Sequence, residues 1–218
     1  MKKRQSFILA TIGLSIITAF LVISNDKSTD KENTVIINRS EIIDLRGLYS
    51  NSGNTYADLL VNEIPEYKNS IKDFTVAESY SPDYVLTEVN SVKEKITLGY
   101  NRWDRPETEK VSAFVIRAHY ISASTKTHLD LTIYLYKSAE QAKRSWVDSL
   151  YTYSGLPALS EANGIVVGDI AVGYEHSINF LRGNVHVWSM RAVGEGSAVE
   201  AAKELDEQII RALEDTSN

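Results

Sequence analysis

Histidine, arginine, aspartate and tyrosine are the side chains here able to move protons or hold anions, and several of them fall on one predicted hairpin. His128, Asp130, Thr132, Tyr134 and Tyr136 alternate with Leu129, Leu131, Ile133 and Leu135. Side chains of a strand repeat every second residue, so the polar set shares one face and the aliphatic set the other. Over 112–121, Phe114, Ile116, Ala118 and Tyr120 alternate with Val115, Arg117, His119 and Ile121. A turn centred on Thr125-Lys126 brings the aliphatic sets together and collects Arg117, His119, Asp130, Thr132, Tyr134 and Tyr136 on the opposite face. A guanidinium, an imidazole and two phenols hold a carboxylate, a phosphate or a sugar through charge-assisted hydrogen bonds and ring stacking. The same residue types also serve as ordinary cross-strand pairs on a solvent-facing sheet.

Other chemical patterns are sparse. The chain has no cysteine, which removes disulfides, thiolate metal sites, a cysteine nucleophile and a lipidated cysteine. It contains no H-E-x-x-H, G-x-S-x-G or P-loop pattern. His119 and His128 belong to one hairpin but are separated along the ladder in the register above, and His176 and His186 fall on opposite faces of a second hairpin. No local spacing makes three or four ligands converge, so no metal and no cofactor is expected. Gly194-Glu195-Gly196 has Val199 where a dinucleotide fingerprint needs its third glycine, and reads as a flexible strand-to-helix link. Asp169 and Glu175 read as loop acids, and Ser197 as a helix cap rather than a nucleophile.

The elements that must position the hairpin follow from periodicity and caps. Strand-like pieces are expected at 74–79, 84–89 and 93–103, with a charged loop at 104–110 that contains Pro106. Ser138-Ala139-Glu140-Gln141 is a capping box opening a helix with Ala142, Trp146, Leu150 and Tyr153 on one side, ending near Gly155. Strands are predicted at 164–167, 171–175, 176–181 and 185–193, with Gly183-Asn184 as a two-residue turn. A second capping box, Ser197-Ala198-Val199-Glu200, starts a last helix to about Glu214, whose apolar stripe is Val199, Ala202, Leu205, Ile209 and Leu213. Nearer the N-terminus, short strands or an entry loop at 34–38 and 41–45 and a helix from Thr55 to Ile64 complete the reading. The expected fold is α+β: an antiparallel sheet with helices packed on one face, preceded by an N-terminal signal or transmembrane helix.

That leading segment sets the expected address. Lys2, Lys3 and Arg4 precede an uncharged apolar run at 7–23, a length between a cleaved h-region and a spanning helix. Val22 and Ser24 are small enough for a cleavage site, so residues 1–24 are either a signal peptide or a signal anchor. The basic head stays cytoplasmic and the C-terminus crosses. Residues 25–33 carry no large apolar side chain and read as a flexible tether, leaving 34–218 as a single extracytoplasmic domain. The net charge of −6 becomes −9 once the three basic leader residues are removed. No run of lysine or arginine follows the leader, which argues against nucleic acid or anionic headgroups as partners.

The order of the Ser138-Ala139-Glu140-Gln141-Ala142 helix, Val167-Gly168-Asp169-Ile170-Ala171, the Asn179-Phe180-Leu181-Arg182-Gly183-Asn184-Val185-His186-Val187 stretch and a final Ala-rich helix resembles uncharacterised exported bacterial envelope and lipoprotein-like α+β domains. The resemblance spans about 129–213 and implies a cell-envelope accessory or binding domain, with no catalytic residues to carry over. Three function classes follow. The first is a non-catalytic binding module that engages a partner protein or an envelope polymer and is held at the membrane through 7–23 if uncleaved. The second is an envelope hydrolase or transferase using a His/acid pair, and the third a structural assembly protein. Under the first, replacing Arg117 and His119 together by alanine is expected to remove ligand binding, measured by titration calorimetry, while the thermal melt is unchanged; unaltered binding would leave this face a structural one.

Overall fold

The computed structural model describes Val61 and residues 64–99, 108–150, 159–194 and 196–216, all within the unit Asn38–Asn218. The expected leader, the tether, the strands or entry loop at 34–38 and 41–45 and nearly all of the helix from Thr55 lie outside the described residues, as do Pro106, Tyr153 and Gly155. Among the described residues no helix is long and apolar enough to cross a membrane.

Among the described residues seven strands build one antiparallel sheet: β1 Ser79–Tyr80, β2 Tyr84–Leu98, β3 Glu109–Ser122, β4 His128–Tyr136, β5 Ile170–Tyr174, β6 Ser177–Arg182 and β7 Val185–Val193. Their order is β1-β2-β3-β4-β7-β6-β5. Two α-helices with both ends among the described residues accompany it, α1 Ala139–Leu150 and α2 Val199–Asp215, with a 3-10 turn at Ser160–Asn163. An α+β fold on an antiparallel sheet is therefore what this chain forms. Ser138 caps α1, its Oγ accepting the Gln141 N–H at 3.3 Å. The cap of α2 is Ala198, one residue later than the capping box predicts, and Ser197 Oγ accepts from the Val199 N–H at 3.2 Å.

The helices do not share a face. On one side Leu129, Leu131, Ile133 and Leu135 of β4 join Val185, Val187 and Phe180 in a core that contains Leu205, Ile209 and Leu213 of α2. On the other side Ser145 of α1 hydrogen-bonds Tyr136 and His186, residues that alternate with Leu135, Val185 and Val187 along their strands. The expectation of helices on one face is corrected by this geometry. Tyr134, Tyr136 and His186 give the second face enough apolar surface to need a cover, and Trp146 of α1, fully buried, supplies it.

Two further expectations change. The separate strands at 84–89 and 93–103 are one 15-residue strand, β2, with a bulge between Leu86 and Glu88. Asn90 and Ser91, polar enough to read as a break, simply pair with Arg117 and Ile116 in a strand wet on both sides. Past Leu86 the outer edge of β2 has no partner strand among the described residues. The predicted strand at 164–167 is unpaired: Ile165 and Val167 are buried in the α2-side core, which accounts for their apolar character without a ladder.

A buried ionic clamp ties the second hairpin to α2. Arg182 donates Nε–H and Nη2–H to the two oxygens of Asp206 at 2.8 and 2.7 Å and Nη1–H to Asp169 at 2.9 Å. Asp169 also accepts the Gly183 N–H at 3.0 Å and the Tyr67 hydroxyl at 2.5 Å, while Asp206 accepts the Gly168 N–H at 2.8 Å. Burial, with help from Asp169, pushes the Tyr67 phenol up to about 12. Gly183 has φ +56, which suits the first position of a tight hairpin turn, and a Cβ on Gly168 would sit 2.6 Å from Leu181 O. Next to the clamp, buried Asn184 donates to Ile71 O (2.8 Å) and Tyr136 O (2.7 Å) and accepts the Ile71 N–H (2.9 Å), stapling the segment before β1 to the sheet. The Asp169 side chain is 2% exposed, so removing its cation strands a buried charge. Arg182→Ala is expected to lose about 3–5 kcal/mol of stability in urea titration, whereas Arg211→Ala on the solvent side of α2 is expected to change the midpoint little.

Candidate functional site

The β3–β4 ladder pairs His119 with Asp130, Arg117 with Thr132, Val115 with Tyr134 and Ala113 with Tyr136. All six candidate residues therefore share one sheet face, as the alternation predicts. The register differs from the expected one by two residues, because the turn is organised by Ser122. Its Oγ accepts from the Thr125 N–H at 3.1 Å and from the Thr125 hydroxyl at 2.7 Å, and its carbonyl accepts the Lys126 N–H at 3.1 Å. Lys126 adopts φ +55, the one positive value at a non-glycine among the described residues. This slip brings His119 and His128 together: their Nε2 and Nδ1 atoms are 3.2 Å apart and the rings stack at 5.1 Å, correcting the expected separation. His176 lies in the β5–β6 turn, where its Nδ1 is 2.5 Å from Gly196 O, while the buried His186 bonds to Ser145 and Asn179.

On the open half of this face the charges are paired across strands. Arg117 donates to Glu94 at 2.8 and 3.4 Å, and His119 Nδ1 is 2.6 Å from Asp130 Oδ1. The hydrogen bond from Arg117 lowers the Glu94 carboxyl, and Glu94 in turn raises the guanidinium. Exposed pairs of this kind contribute little to stability. They do set a cost on ligand capture: an incoming carboxylate must displace Glu94 to reach Arg117. Both nitrogens of His119 are engaged, one by Asp130 and one by His128, so the His/acid pair presents no ring nitrogen to a neighbouring hydroxyl.

Toward the other end of the face the strand surface closes into a cleft of about 280 Å³, lined by Tyr134, Tyr136, Trp188, Ser145 and Asp148 with Ile96, Thr97 and Leu98 of β2. The register between β4 and β7 shifts at Thr132/Ile133, which leaves Trp188 as an extra residue on β7 and turns it toward Tyr134. The two rings meet edge to face at 5.7 Å, and Tyr134 stacks on Tyr136 at 6.2 Å. Burial raises the Tyr134 phenol, so it stays a neutral donor and acceptor through the ordinary pH range.

Behind the cleft runs a buried polar relay with one consistent direction. The Tyr136 hydroxyl donates to Ser145 Oγ (2.7 Å), and Ser145 in turn lies 2.8 Å from His186 Nδ1. His186 Nε2 is 3.3 Å from Asn179 Oδ1, Asn179 Nδ2 donates to Ser149 Oγ (3.0 Å), and Ser149 ends the chain on Trp146 O (2.6 Å). The direction assigns the Nε2–H tautomer to His186, with Nδ1 accepting from Ser145. The Ser145–His186 contact has the length of a nucleophile–base pair. Burial, however, lowers the imidazole to about 3, well below where a general base operates near neutrality.

Of the sequence candidates, Tyr134 and Tyr136 enter the cleft, while Arg117, His119, Asp130 and Thr132 form the paired open face beside it. Trp188, Ser145, Asn179 and His186 were not singled out as site residues. The alternation of His186 and Trp188 with Val185 and Val187 carried the signal for β7, but the bulge that aims Trp188 leaves no local mark. Among the described residues no group of three or more His, Asp or Glu side chains is placed to hold a metal. Comparison of the chain with protein-family models, with curated proteins and with solved structures finds no match.

The relay makes stability depend on pH. His186 has a folded pKa below its unfolded value near 6.5, so the unfolded chain binds the extra proton and stability is lost as pH falls from about 6.5 toward about 3. Thermal melts are expected to show this decline at a limiting slope of about 1.4 kcal/mol per pH unit for one proton, and His186→Gln is expected to flatten it. An unchanged slope in that variant would assign the acid sensitivity elsewhere.

Proposed function

We propose that this chain is an exported or membrane-anchored binding domain of the cell envelope that engages an envelope polymer through the aromatic cleft beside the β3–β4 face. The observation that carries this reading is the convergence of Tyr134, Tyr136 and Trp188 on one concavity of about 280 Å³, with Ser145 and Asp148 at its wall. Rings arranged edge to face present both a flat apolar surface and polar tips, which suits a sugar ring better than a flat protein surface. The cationic head and apolar run at 2–23 support an extracytoplasmic address, and the tether at 25–33 supports reach from a membrane. The resemblance to exported envelope domains points the same way. In this reading the paired open face is the rim of the site: Arg117 and His119 are held by Glu94 and Asp130 until a polar group of the ligand exchanges with one of them.

Full-length protein in a neutral detergent, titrated with oligosaccharide fragments released from cell envelopes, tests this through tryptophan fluorescence, since Trp188 is half-buried in the cleft while Trp146 is fully buried. Binding is expected to shift the emission. Tyr134→Ala with Trp188→Phe is expected to weaken it about tenfold, the scale of two lost ring contacts. Undiminished binding by calorimetry in that variant, or capture of a protein partner that competes with no glycan, would sink the cleft as a polymer site.

A further inference from the structure

On the face that α2 covers, the sheet continues past the helix and forms a groove of about 930 Å³ between the β2–β3 ribbon and the segment before β1. Six lysines line it: Lys93, Lys95 and Lys110 from the ribbon, Lys68 and Lys72 from the opposite wall, and Lys137 after β4. All six are exposed, and among the described residues none lies within ion-pair distance of a carboxylate. Among the described residues the one acid lining the groove, Glu109, is held by Arg144. In a chain of net charge −6, so many unpaired cations around one concavity make a local positive field against a negative surround. No sequence run announces it, because the lysines come from four separated stretches, 68–72, 93–95, Lys110 and Lys137. The absence of such a run therefore does not exclude an anionic partner.

From this geometry we infer that the groove holds the backbone of an extended phosphate-bearing polymer. The inference deepens the proposed function and rests on it, adding charge to the polymer that the cleft engages; Tyr136 lines both concavities. Lysine ammonium groups are compact point charges without the planar fork of arginine, so they suit phosphates spaced along a flexible chain rather than one carboxylate held in a fixed plane. The site is far larger than a single anion. It is also concave, with lysines on both walls, a shape that encloses a chain and does not lie flat on a bilayer. Among the described residues nucleobases find no open platform: the one aromatic side chain of the groove besides Tyr136 is Phe114, with Lys93 Nζ 6.0 Å from its ring centroid. Asn184 fixes the far wall through its two hydrogen bonds to Ile71, so the groove is formed before any ligand arrives.

The test uses full-length protein in neutral detergent and long-chain inorganic polyphosphate as the probe, with oligothymidylate as a second probe. Polyphosphate is expected to bind with an affinity that falls steeply with salt, with a log–log slope of about −0.7 per lysine contact by analogy with single-stranded nucleic acid. Lys93→Glu/Lys95→Glu/Lys110→Glu is expected to weaken binding by at least about tenfold, and the matching triple Gln variant by less, while Lys203→Glu/Arg211→Glu on α2 stays near wild type. Should the charge reversal disturb folding, the Gln variant with the salt slope carries the decision. No detectable polyphosphate binding, a triple variant that binds as wild type does, or oligothymidylate bound far more tightly than polyphosphate would each overturn the inference. The cleft variant Tyr134→Ala/Trp188→Phe is expected to keep polyphosphate affinity, so failure of the groove and failure of the cleft are read separately.

Discussion

Strand β4 divides its side chains between two cores, and the rest of the domain is arranged around that division. Leu129, Leu131, Ile133 and Leu135 go to the α2 side, all nearly or fully buried, each contributing about 1.5–3 kcal/mol when removed from water. Tyr134 and Tyr136 go to the α1 side, where the space is only partly filled by helix. A slip of one residue would exchange the two sets, placing phenols under α2 and leucines in the cleft. The cleft, the relay behind it and the paired open face all depend on this strand keeping its register, and the Ser122-centred turn at one end and Asn184 at the other hold it there.

Polar groups seal both sides of the sheet. On the α2 side, Arg182 between Asp169 and Asp206 ties the hairpin to the last helix. On the α1 side, the relay from Tyr136 to Ser149 links the Tyr136, Ser145 and Ser149 hydroxyls, both His186 ring nitrogens and the Asn179 amide to one another. Networks of this kind add little net stability over an apolar filling, yet a half-satisfied version of either would be costly. They favour one arrangement of helix on sheet over near alternatives.

Much of the architecture was legible in the chain. The alternations over 112–121 and from His128 to Tyr136 placed all six candidate residues on one face, and Ser138 and Gln141 marked the start of α1. What could not be read depends on contacts between distant residues. The two-residue register offset comes from hydroxyl contacts within the turn, and it alone makes His119 and His128 neighbours. Asp206 sits one place from Leu205 on the expected apolar stripe, and only the position of Arg182, 24 residues earlier, explains a carboxylate there. Arg182 and Asn184, which turn chemistry alone accounts for in sequence, turn out to be anchors of the core. The lysine groove is the extreme case, since its walls meet only after the sheet has formed.

The long second strand leaves one more consequence. Among the described residues its outer margin beyond Leu86 has no partner strand, and such an edge offers a row of main-chain donors and acceptors to a passing copy, the usual starting point for fibril growth. Val85, Val89 and Val92 would favour such stacking, but Glu88, Lys93, Glu94 and Lys95 are interspersed with them and the kink at Leu86/Glu88 breaks its straightness. Many copies crowded together can thus stand side by side without zipping into a common sheet.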